Sequence, residues 1–398
     1  RYSYGEVGND RVGPPNNPVR FPYLTNFGDY NEWSYGDFGN ENKYSGYHYS
    51  QVASPGLSWE IAKKHNLGLD VSVLNGKFSL TVDFFKDTRE EIFLRREYLP
   101  QIIGLTSKPW ANVGKMQSIG ADGSLVFRHK FGEFNLTVRS NMTLTKNEIL
   151  DYDEEANAYP YKMISGFRYE QARGLIAEGL FKDYDEIRVS PRQQFGDYAP
   201  GDIKYKDVNG DGVINDDDIV PLSYSNTPTL QYGFAAEFRY KQFTASIFFE
   251  GVGKVQYFYG GSGYYPFAWE TRGNVLNIVA DQKNRWTPRE YSGDASTENP
   301  NARFPRLTYG ENKNNNRAST FWLADGRYFR LKNIELSYRF TSAWLRDKIS
   351  VQNATLSLVG ENLHVWDKVK LWDPEQASSN GAVYPLQRKF TLQLNVTF

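Results

Sequence analysis

The most regularly spaced oxygen-bearing side chains of this chain lie in the segment DVNGDGVINDDD, residues 207–218. Calcium loops place oxygen donors at positions one, three, five, seven, nine and twelve, with glycine at position six. Gly212 occupies the sixth position here. The candidate calcium ligands are Asp207, Asn209, Asp211, the carbonyl of Val213, Asn215 and Asp218. The alternative is an acidic loop of Asx turns that holds no ion.

Asp218 departs from the calcium-loop pattern, because a bidentate glutamate usually occupies the twelfth position. No flanking helices are evident in the sequence, so the pattern favours an isolated loop over an EF-hand pair. A calcium ion at this place would stiffen a long loop, since the oxygen donors have no catalytic partner beside them. Calcium is therefore the one cofactor that the sequence predicts.

Aromatic side chains in glycine-rich segments form a second candidate site. Their flat apolar faces suit the apolar face of a sugar ring or the side chains of a bound peptide. The candidate substrate-binding residues are Trp33, Tyr35, Tyr257, Tyr259, Tyr264, Tyr265, Trp269 and Trp322. The alternative is that these rings form an interfacial girdle or pack one loop against another.

Catalytic patterns are absent from the sequence. The histidines His48, His65, His129 and His364 are scattered without metal-ligand spacing, and no G-x-S-x-G segment or phosphate-binding glycine loop occurs. The chain has no cysteine, which excludes disulfides, thiolate metal sites and cysteine nucleophiles. Its net charge of -1 does not indicate nucleic-acid binding. We therefore predict neither an enzyme nor an organic cofactor.

Composition restricts the class of protein. Aromatic residues make up 16% of the chain, yet its mean hydropathy is -0.62. This combination suits a barrel with a polar lumen and polar loops better than a compact globule. No segment approaches the roughly 18 consecutive apolar residues that a membrane helix needs. The sequence therefore excludes a helical membrane protein.

The last segment, RKFTLQLNVTF, alternates apolar and polar residues up to the final phenylalanine. Phe390, Leu392, Leu394, Val396 and Phe398 share one parity, and polar residues occupy the other. Because successive side chains of a strand point to opposite faces, this segment has one apolar face and one hydrated face. Function depends on whether the apolar face meets a protein core or lipid.

Similar alternating segments occur in pairs along the chain. Asn75-Gly76 joins the first pair and predicts a type I′ hairpin turn. Further pairs turn at 131–133 and at Lys241-Gln242, and a fourth joins KNIELSYRF to ATLSLVG. With RYSYGEV and the terminal segment, the chain is predicted to have about ten strands. The residues predicted to share the apolar face of the fourth pair are Ile334, Leu336, Tyr338, Phe340, Leu356 and Leu358.

Tight turns alternate with long connections, which are predicted near 11–63, 89–116, 148–228, 257–326 and 364–385. Outer-membrane barrels have this order, with short periplasmic turns and long extracellular loops. Charged residues on the hydrated parity then face a lumen; they are Asp70, Asp83, Arg139, Glu237, Arg239, Glu250, Glu335, Arg339 and Lys389. The predicted fold class is all-β, a transmembrane antiparallel β-barrel that includes residues 1–398. The alternative is a half-exposed soluble sheet.

Several segments resemble one family when they are taken in order. They are SWEIAKKHNLGLDVSVLNGKFSLTVDFFKDTREEIF, VGKMQSIGADGSLVF, PGDIKYKDVNGDGVINDDDIV, RLKNIELSYRF and SLVGENLHVW. The series closely resembles the C-terminal part of SusC/RagA-type TonB-dependent transporters. That resemblance implies a barrel of about 22 strands with a plugged lumen. It also implies that a plug domain and a TonB box precede the present sequence.

The resemblance further implies a function and partners. Such transporters import oligosaccharides or peptides across the outer membrane of Gram-negative bacteria, driven through TonB. A SusD-like surface lipoprotein covers the barrel, and two transporter-lipoprotein pairs form a dimer. We expect a glycan as the first candidate substrate and an oligopeptide as the second. The remaining alternatives are a non-transporting interaction barrel or adhesin and a secreted calcium-dependent carbohydrate-binding or hydrolase β domain.

Overall fold

The computed structural model of the chain describes residues 1–13, 19–37, 39, 42–54, 56–96, 98–103, 105, 107–267 and 275–398. Antiparallel strands are its main elements. Across these residues, none of the helices has the length and apolar character needed to cross a membrane.

One ten-stranded sheet follows the chain order, each strand pairing with the next. Its strands are β1 (Tyr2–Asn9), β2 (Glu60–Val73), β3 (Phe78–Arg95), β4 (Trp110–Phe131), β5 (Phe134–Asp151), β6 (Leu230–Tyr240), β7 (Phe243–Gly253), β8 (Tyr328–Phe340), β9 (Asn353–Asp367) and β10 (Lys389–Thr397). Neighbouring strands of this sheet pair antiparallel, for example with Leu230 opposite Gly253 and Phe243 opposite Tyr338. The prediction of about ten strands is confirmed.

Smaller elements lie in the long connections. A separate hairpin pairs Asn26–Tyr35 with Asn42–Gln51. Short strand pairs join Arg173–Gly174 to Val220–Pro221, Ala177–Leu180 to Ile203–Tyr205, Arg192–Gln193 to Val213–Ile214, and Gln256–Phe258 to Leu323–Asp325. The α-helices are Tyr184–Val189, Asn277–Ala280, Arg289–Ser292 and Ala343–Ile349, and the 3-10 helices are Gln101–Ile103, Pro160–Lys162, Asp216–Asp218, Ala295–Thr297 and Pro374–Gln376.

The chain divides into two compact units. The first consists of Arg1–Gly68, Asp83–Ala121 and Thr145–Tyr169, and the second of Leu69–Val82, Asp122–Leu144 and Glu170–Phe398. The strands β2 to β5 contribute residues to both units, whereas β6 to β10 belong to the second unit alone. The candidate site residues below lie in the second unit, except Trp33 and Tyr35, which belong to the first.

The predicted tight turns are present. Lys77 N donates a hydrogen bond to Leu74 O over 3.3 Å, and the two central residues have positive φ, 55° at Asn75 and 77° at Gly76. Type I′ turns require positive φ at both central positions, so the predicted turn type is confirmed. Gly132 and Lys241, with φ of 60° and 51°, occupy the first central position of the next two turns. The fourth connection contains the helix Ala343–Ile349.

The apolar parity of the inner strands remains exposed. Leu336 is opposite Leu358 and Tyr338 opposite Leu356, as predicted, and the four side chains have exposed fractions between 38% and 50%. Ser357, on the other parity of β9, is only 3% exposed. In a soluble sheet the apolar parity would be the buried one. This face is therefore available to lipid and does not cover a protein core.

One predicted connection, near 89–116, is too long. β3 continues to Arg95 and β4 begins at Trp110. The run of charged residues that indicated a loop is paired across strands, because the Glu90 carboxylate contacts Lys63 Nζ at 2.5 Å and Lys115 Nζ at 2.7 Å. The other connections occupy 10–59, 152–229, 254–327 and 368–388, each within four residues of its predicted bounds.

The long connections of the second unit form a core of their own. We call residues 170–229, 254–267, 275–327 and 368–388 the loop lobe. Most of its buried apolar side chains form one cluster, made of Leu175, Leu180, Ile203, Tyr205, Ile214, Tyr264, Val279, Trp286, Ala302, Phe304 and Trp322. Tyr257, Ala324 and Val369 form a second, smaller cluster. Burial of this many large side chains makes the lobe a folded body rather than a set of independent loops.

A buried polar network connects the segments of the loop lobe. The Asp202 carboxylate is fully buried and accepts hydrogen bonds from Asn315 Nδ2 at 2.8 Å and Arg306 Nη2 at 2.8 Å. Gln193 Nε2 donates to Asn314 Oδ1 at 2.7 Å. Buried polar groups are tolerated only when such partners satisfy them. The network therefore fixes how segment 312–315 packs on strand Ile203–Tyr205.

Candidate functional site

The predicted calcium loop folds as a series of Asx turns. Asp207 accepts hydrogen bonds through both carboxylate oxygens, from Gly210 N at 2.7 Å and Gly212 N at 2.8 Å. Asp211 Oδ1 accepts from Val213 N at 2.8 Å, and Asn209 Oδ1 accepts from Asp211 N at 3.1 Å. Gly210 and Gly212 have φ of 77° and 80°, a left-handed conformation that favours glycine.

Asp218 closes the loop from inside. Its side chain is fully buried, and its two oxygens accept from Val208 N at 2.7 Å and Asn215 N at 2.9 Å. Asn215 Oδ1 in turn accepts from Asp217 N at 2.6 Å, which completes a capping box at the 3-10 helix Asp216–Asp218. The twelfth position is therefore used to hold the loop's own backbone.

The donor set can be compared with what calcium needs. Calcium takes six to eight oxygens around one centre. In the described part of the chain, which includes all of 207–218, no group of three or more His, Cys, Asp or Glu residues is arranged to hold a metal ion. The carboxylates accept from backbone amides instead, as in the ion-free alternative. Calcium binding by this loop stays a prediction.

Most of the predicted substrate-binding aromatics lie inside the loop lobe. Tyr257, Tyr264 and Trp322 are 6%, 3% and 2% exposed. Tyr264 stacks on Tyr259 with ring centroids 5.1 Å apart, and Trp322 Nε1 donates to a backbone carbonyl at 2.6 Å. Burial raises the pKa of Tyr265 to about 12. These rings pack one loop against another, so the prediction that they contact substrate is corrected to a role in the core.

The remaining aromatic predictions have different positions. Trp33 and Tyr35 lie on the first strand of the separate hairpin and are 69% and 81% exposed. Trp269 lies outside the described residues. Ligand contact by Trp33 and Tyr35 stays a prediction, because exposure alone does not distinguish a binding surface from solvent contact.

A polar cavity of about 520 Å³ opens on the hydrated face of β5 to β8, next to the loop lobe. Its polar lining comes from Asn141, Thr143, Asn226, Gln231, Glu250, Tyr328 and Glu375. Asn141 and Gln231 belong to the parity opposite the exposed Phe234 and Phe238, so they point away from the apolar face. Amide, hydroxyl and carboxylate groups thus converge from five segments of the chain.

A charged cluster forms one wall of this cavity. Arg330 is 2% exposed, and its Nη2 donates to Asp373 Oδ1. Lys332 Nζ contacts Glu250 Oε1 at 2.7 Å and Glu375 Oε2 at 3.5 Å. The cluster therefore contains two cations and three carboxylates, a formal charge of -1. Such fixed, mutually paired charges hold their hydrogen-bonding atoms in place for a ligand.

Only a weak signal in the sequence points to this cavity. Glu250 is a charged residue of the hydrated parity, but its partners Arg330 and Lys332 are far from it in sequence. The register of β7 on β8 brings Glu250 opposite Arg330. Only a pairing prediction for these two strands could have located the cluster.

The strand order, the exposed apolar parity and the polar cavity together define the wall of a transmembrane antiparallel β-barrel. Solved structures agree with this class. The whole chain superposes on 40% of a chain in the structure of the RagAB peptide transporter, with TM-score 0.70 and 21% identity. The RagAB peptide importer in its open-open state gives TM-score 0.71 and 20% identity over the same shares. The predicted fold class is confirmed.

Sequence relatives point to the same group. A TonB-dependent receptor of Formosa agariphila is 29% identical over 87% of this chain, and a second receptor of that organism is 26% identical over the whole chain. The TonB-dependent receptor SusC of Bacteroides thetaiotaomicron is 21% identical over the whole chain. No protein-family model matches. The resemblance to SusC/RagA-type TonB-dependent transporters is confirmed.

The chain is shorter than these relatives. It spans 35% to 39% of the length of the receptors and 40% of the RagAB chain. The fold and the similarity therefore apply to residues 1–398, and the activity of the whole protein is proposed below.

Proposed function

We propose that residues 1–398 are the C-terminal barrel portion of an outer-membrane, TonB-dependent nutrient importer in a Gram-negative bacterium. The observation that carries this proposal is the combination of an exposed apolar parity with a built polar cavity on the opposite face of the same strands. In such an importer the cavity would lie on the route of the substrate. The similarity to TonB-dependent receptors supports the same function.

The first candidate substrate is an oligosaccharide. The cavity lining offers side-chain amides at Asn141 and Gln231 and carboxylates at Glu250 and Glu375. These groups hydrogen-bond sugar hydroxyls, which both donate and accept. The second candidate is an oligopeptide, which is favoured by the structural similarity to a peptide transporter. The cluster charge of -1 suits a peptide with a free amino group.

The substrate proposal can be tested by removing two cavity amides. We expect the double variant Asn141→Ala/Gln231→Ala to raise the half-saturating concentration for uptake roughly fivefold to a hundredfold, because each lost hydrogen bond costs about 0.5–1.5 kcal/mol. The matched control is Asn395→Ala/Gln393→Ala, which removes the same residue types from the exposed strand β10. Uptake of labelled oligosaccharide and oligopeptide mixtures by cells would be measured for both variants. Equal uptake by the two double variants would refute the cavity's role.

We also infer that partners complete the importer. A SusD-like surface lipoprotein would cover the loop side, TonB would act through a region outside residues 1–398, and two transporter-lipoprotein pairs would form a dimer. The folded loop lobe supports this inference, since a preorganised surface binds a partner at lower entropic cost than flexible loops. Affinity purification of the full-length protein from outer membranes should recover a lipoprotein at equal stoichiometry. Recovery of the barrel alone at mild detergent concentration would contradict the partner proposal and favour a solitary interaction barrel.

A further inference from the structure

Aromatic rings form a row across the exposed apolar face near the loop-lobe end of the strands. Phe329 of β8 stacks on Phe249 of β7 with centroids 5.1 Å apart and on Trp366 of β9 at 5.6 Å. Tyr232 of β6 extends the row, 6.2 Å from Phe329. Aromatic residues of this kind mark the level of the lipid headgroups in barrels. We call these four rings the upper aromatic row.

A β-bulge keeps Phe329 in that row. The register of β8 on β7 shifts so that Asn333 lies opposite Phe248 and Leu331 lies opposite Phe249. Lys332 therefore has no residue opposite it on β7. If β8 paired regularly, with Lys332 opposite Phe249, Phe329 would point to the cavity side. The bulge therefore serves two faces at once, placing Phe329 outward and Arg330 inward.

A second set of rings lies at the tight-turn end of the same strands. Tyr240, Phe243 and Tyr338 are direct neighbours there and are all exposed. At about 3.4 Å per residue and a tilt of about 40°, the nine steps from Phe243 to Val252 rise roughly 23 Å. Val252 is opposite Tyr328. The residues beside Tyr328 therefore lie at the upper edge of an apolar band about 25 Å tall.

Cations occupy that edge. An open groove of about 400 Å³ is lined by the upper-row residues Tyr232, Phe329 and Trp366 together with Arg327 and Lys368. The side chains of Arg327 and Lys368 are 56% and 69% exposed.

The charges around the groove do not cancel. Asp325 pairs with both cations, at 2.6 Å to Arg327 Nη2 and 3.4 Å to Lys368 Nζ. Asp367, which also lines the groove, pairs with Lys370 at 3.7 Å. Three cations against two carboxylates leave an excess of one positive charge. Asp325 accepts from Nε and Nη2 of Arg327, so the Nη1 donors of this exposed guanidinium point away from Asp325 and are available to an anion.

We propose that this groove binds the phosphorylated headgroup of an outer-leaflet glycolipid, with its acyl chains against the upper aromatic row. Phosphate complements the excess positive charge, and an anionic headgroup at this level would contact both Arg327 and Lys368. Acyl chains suit the exposed apolar parity directly below. A soluble anion would be stabilised only by the cations, whereas a lipid would also contact the upper aromatic row. The row therefore favours a lipid as the occupant of the groove. The inference rests on the membrane-spanning fold and is independent of the imported substrate.

The test compares two pairs of cations next to opposite ends of β8 and β9. The full-length protein, purified in detergent, would be titrated with diphosphoryl lipid A and examined by native mass spectrometry. We expect Arg327→Ala/Lys368→Ala to weaken binding at least tenfold. The control is Arg346→Ala/Lys348→Ala, which removes two cations from the helix Ala343–Ile349 at the opposite end of β8 and β9. This control should bind as the unmodified protein does.

Further arms distinguish the source of the phosphate. Heat-modifiable gel mobility would first establish that each variant is folded. A variant with Trp366→Ala should bind lipid A more weakly yet leave any binding of inorganic phosphate unchanged. Equal lipid A binding by the two double variants would overturn the proposal. So would binding of inorganic phosphate alone as tightly as lipid A, because the groove would then be a simple anion site.

Discussion

Aspartate residues of the 207–218 loop illustrate two roles that one side-chain type can have, binding an ion or accepting backbone hydrogen bonds. Asp207 and Asp218 sit at calcium-ligand spacing, yet each accepts two backbone hydrogen bonds within its own loop. Asx turns and calcium loops share this backbone shape because both need carboxylates close to turn amides. Spacing alone could therefore predict the loop conformation but not its ion. The aromatic predictions failed differently, because composition cannot tell a buried Tyr264 from an exposed Tyr35.

The calcium prediction can be tested by removing the charge of one side chain. Asp211→Asn keeps the oxygen that accepts from Val213 N but removes the carboxylate charge. If the loop binds calcium as predicted, millimolar calcium should raise the melting temperature of the unmodified protein and have much less effect on this variant. The control Asp216→Asn changes a residue at a non-ligand position of the same loop. If the melting temperature of the unmodified protein is the same in calcium and in a chelator, the calcium prediction is wrong and the loop is the ion-free Asx alternative.

Glu186 gives the loop lobe a pH-dependent contribution. A hydrogen bond from Lys182 N holds the pKa of its carboxyl below the usual range, and the ammonium of Lys204 at 3.0 Å acts in the same direction. A lowered folded-state pKa stabilises the fold above the unfolded pKa, and this contribution is lost as pH falls through the folded value. Glu186→Gln should therefore lower lobe stability at pH 7, and this effect should shrink progressively as the pH falls below about 4. Limited proteolysis of the lobe across this pH range measures the difference; an equal effect at both ends would contradict it.

At the scale of elements, the sequence predicted the strands and the bounds of most long connections, but not how those connections fold. Period-two alternation and turn dipeptides are local, so the ten strands and the Asn75-Gly76 turn could be found from sequence. The bulge at Lys332 breaks the period and could not. The polar cavity depends on strand pairing, since Glu250 and Arg330 meet only through the register of β7 on β8. The core of the loop lobe likewise depends on contacts between distant segments.

The bulge makes a prediction about β8. Deleting Lys332 should give simple alternation with Asn333 still opposite Phe248 and Leu331 still opposite Phe249, so Arg330 should keep facing the cavity and Phe329 the lipid. Because no arginine is turned to the lipid, we expect the deletion variant to assemble into the outer membrane. The control Lys332→Ala keeps the residue count and should also fold. Heat-modifiable mobility of the two variants in membrane fractions is the measurement, and loss of folding in the deletion variant alone would show that β8 needs the bulge.

At the scale of the whole molecule, the central question is which face of the wall meets the membrane. Fold similarity and exposed leucines agree, and the soluble β-domain alternative is disfavoured because it would leave its apolar parity in water. The decision can be reduced to two neighbouring residues of β7. Ile247 lies between Ala236 and Ile334, whereas Ser246 lies between Glu237 and Glu335.

An arginine substituted at each of these positions tests separately whether each face contacts lipid. Ile247→Arg should destabilise the barrel by about 2–4 kcal/mol, the cost of a cation near the middle of the lipid face. Ser246→Arg should be tolerated, because the new guanidinium would lie between two carboxylates on the hydrated face. Urea unfolding in lipid vesicles, followed by tryptophan fluorescence, measures both changes. If Ser246→Arg proved the more damaging variant, the faces would be assigned the wrong way round, and with them the cavity as a substrate route and the groove as a lipid site.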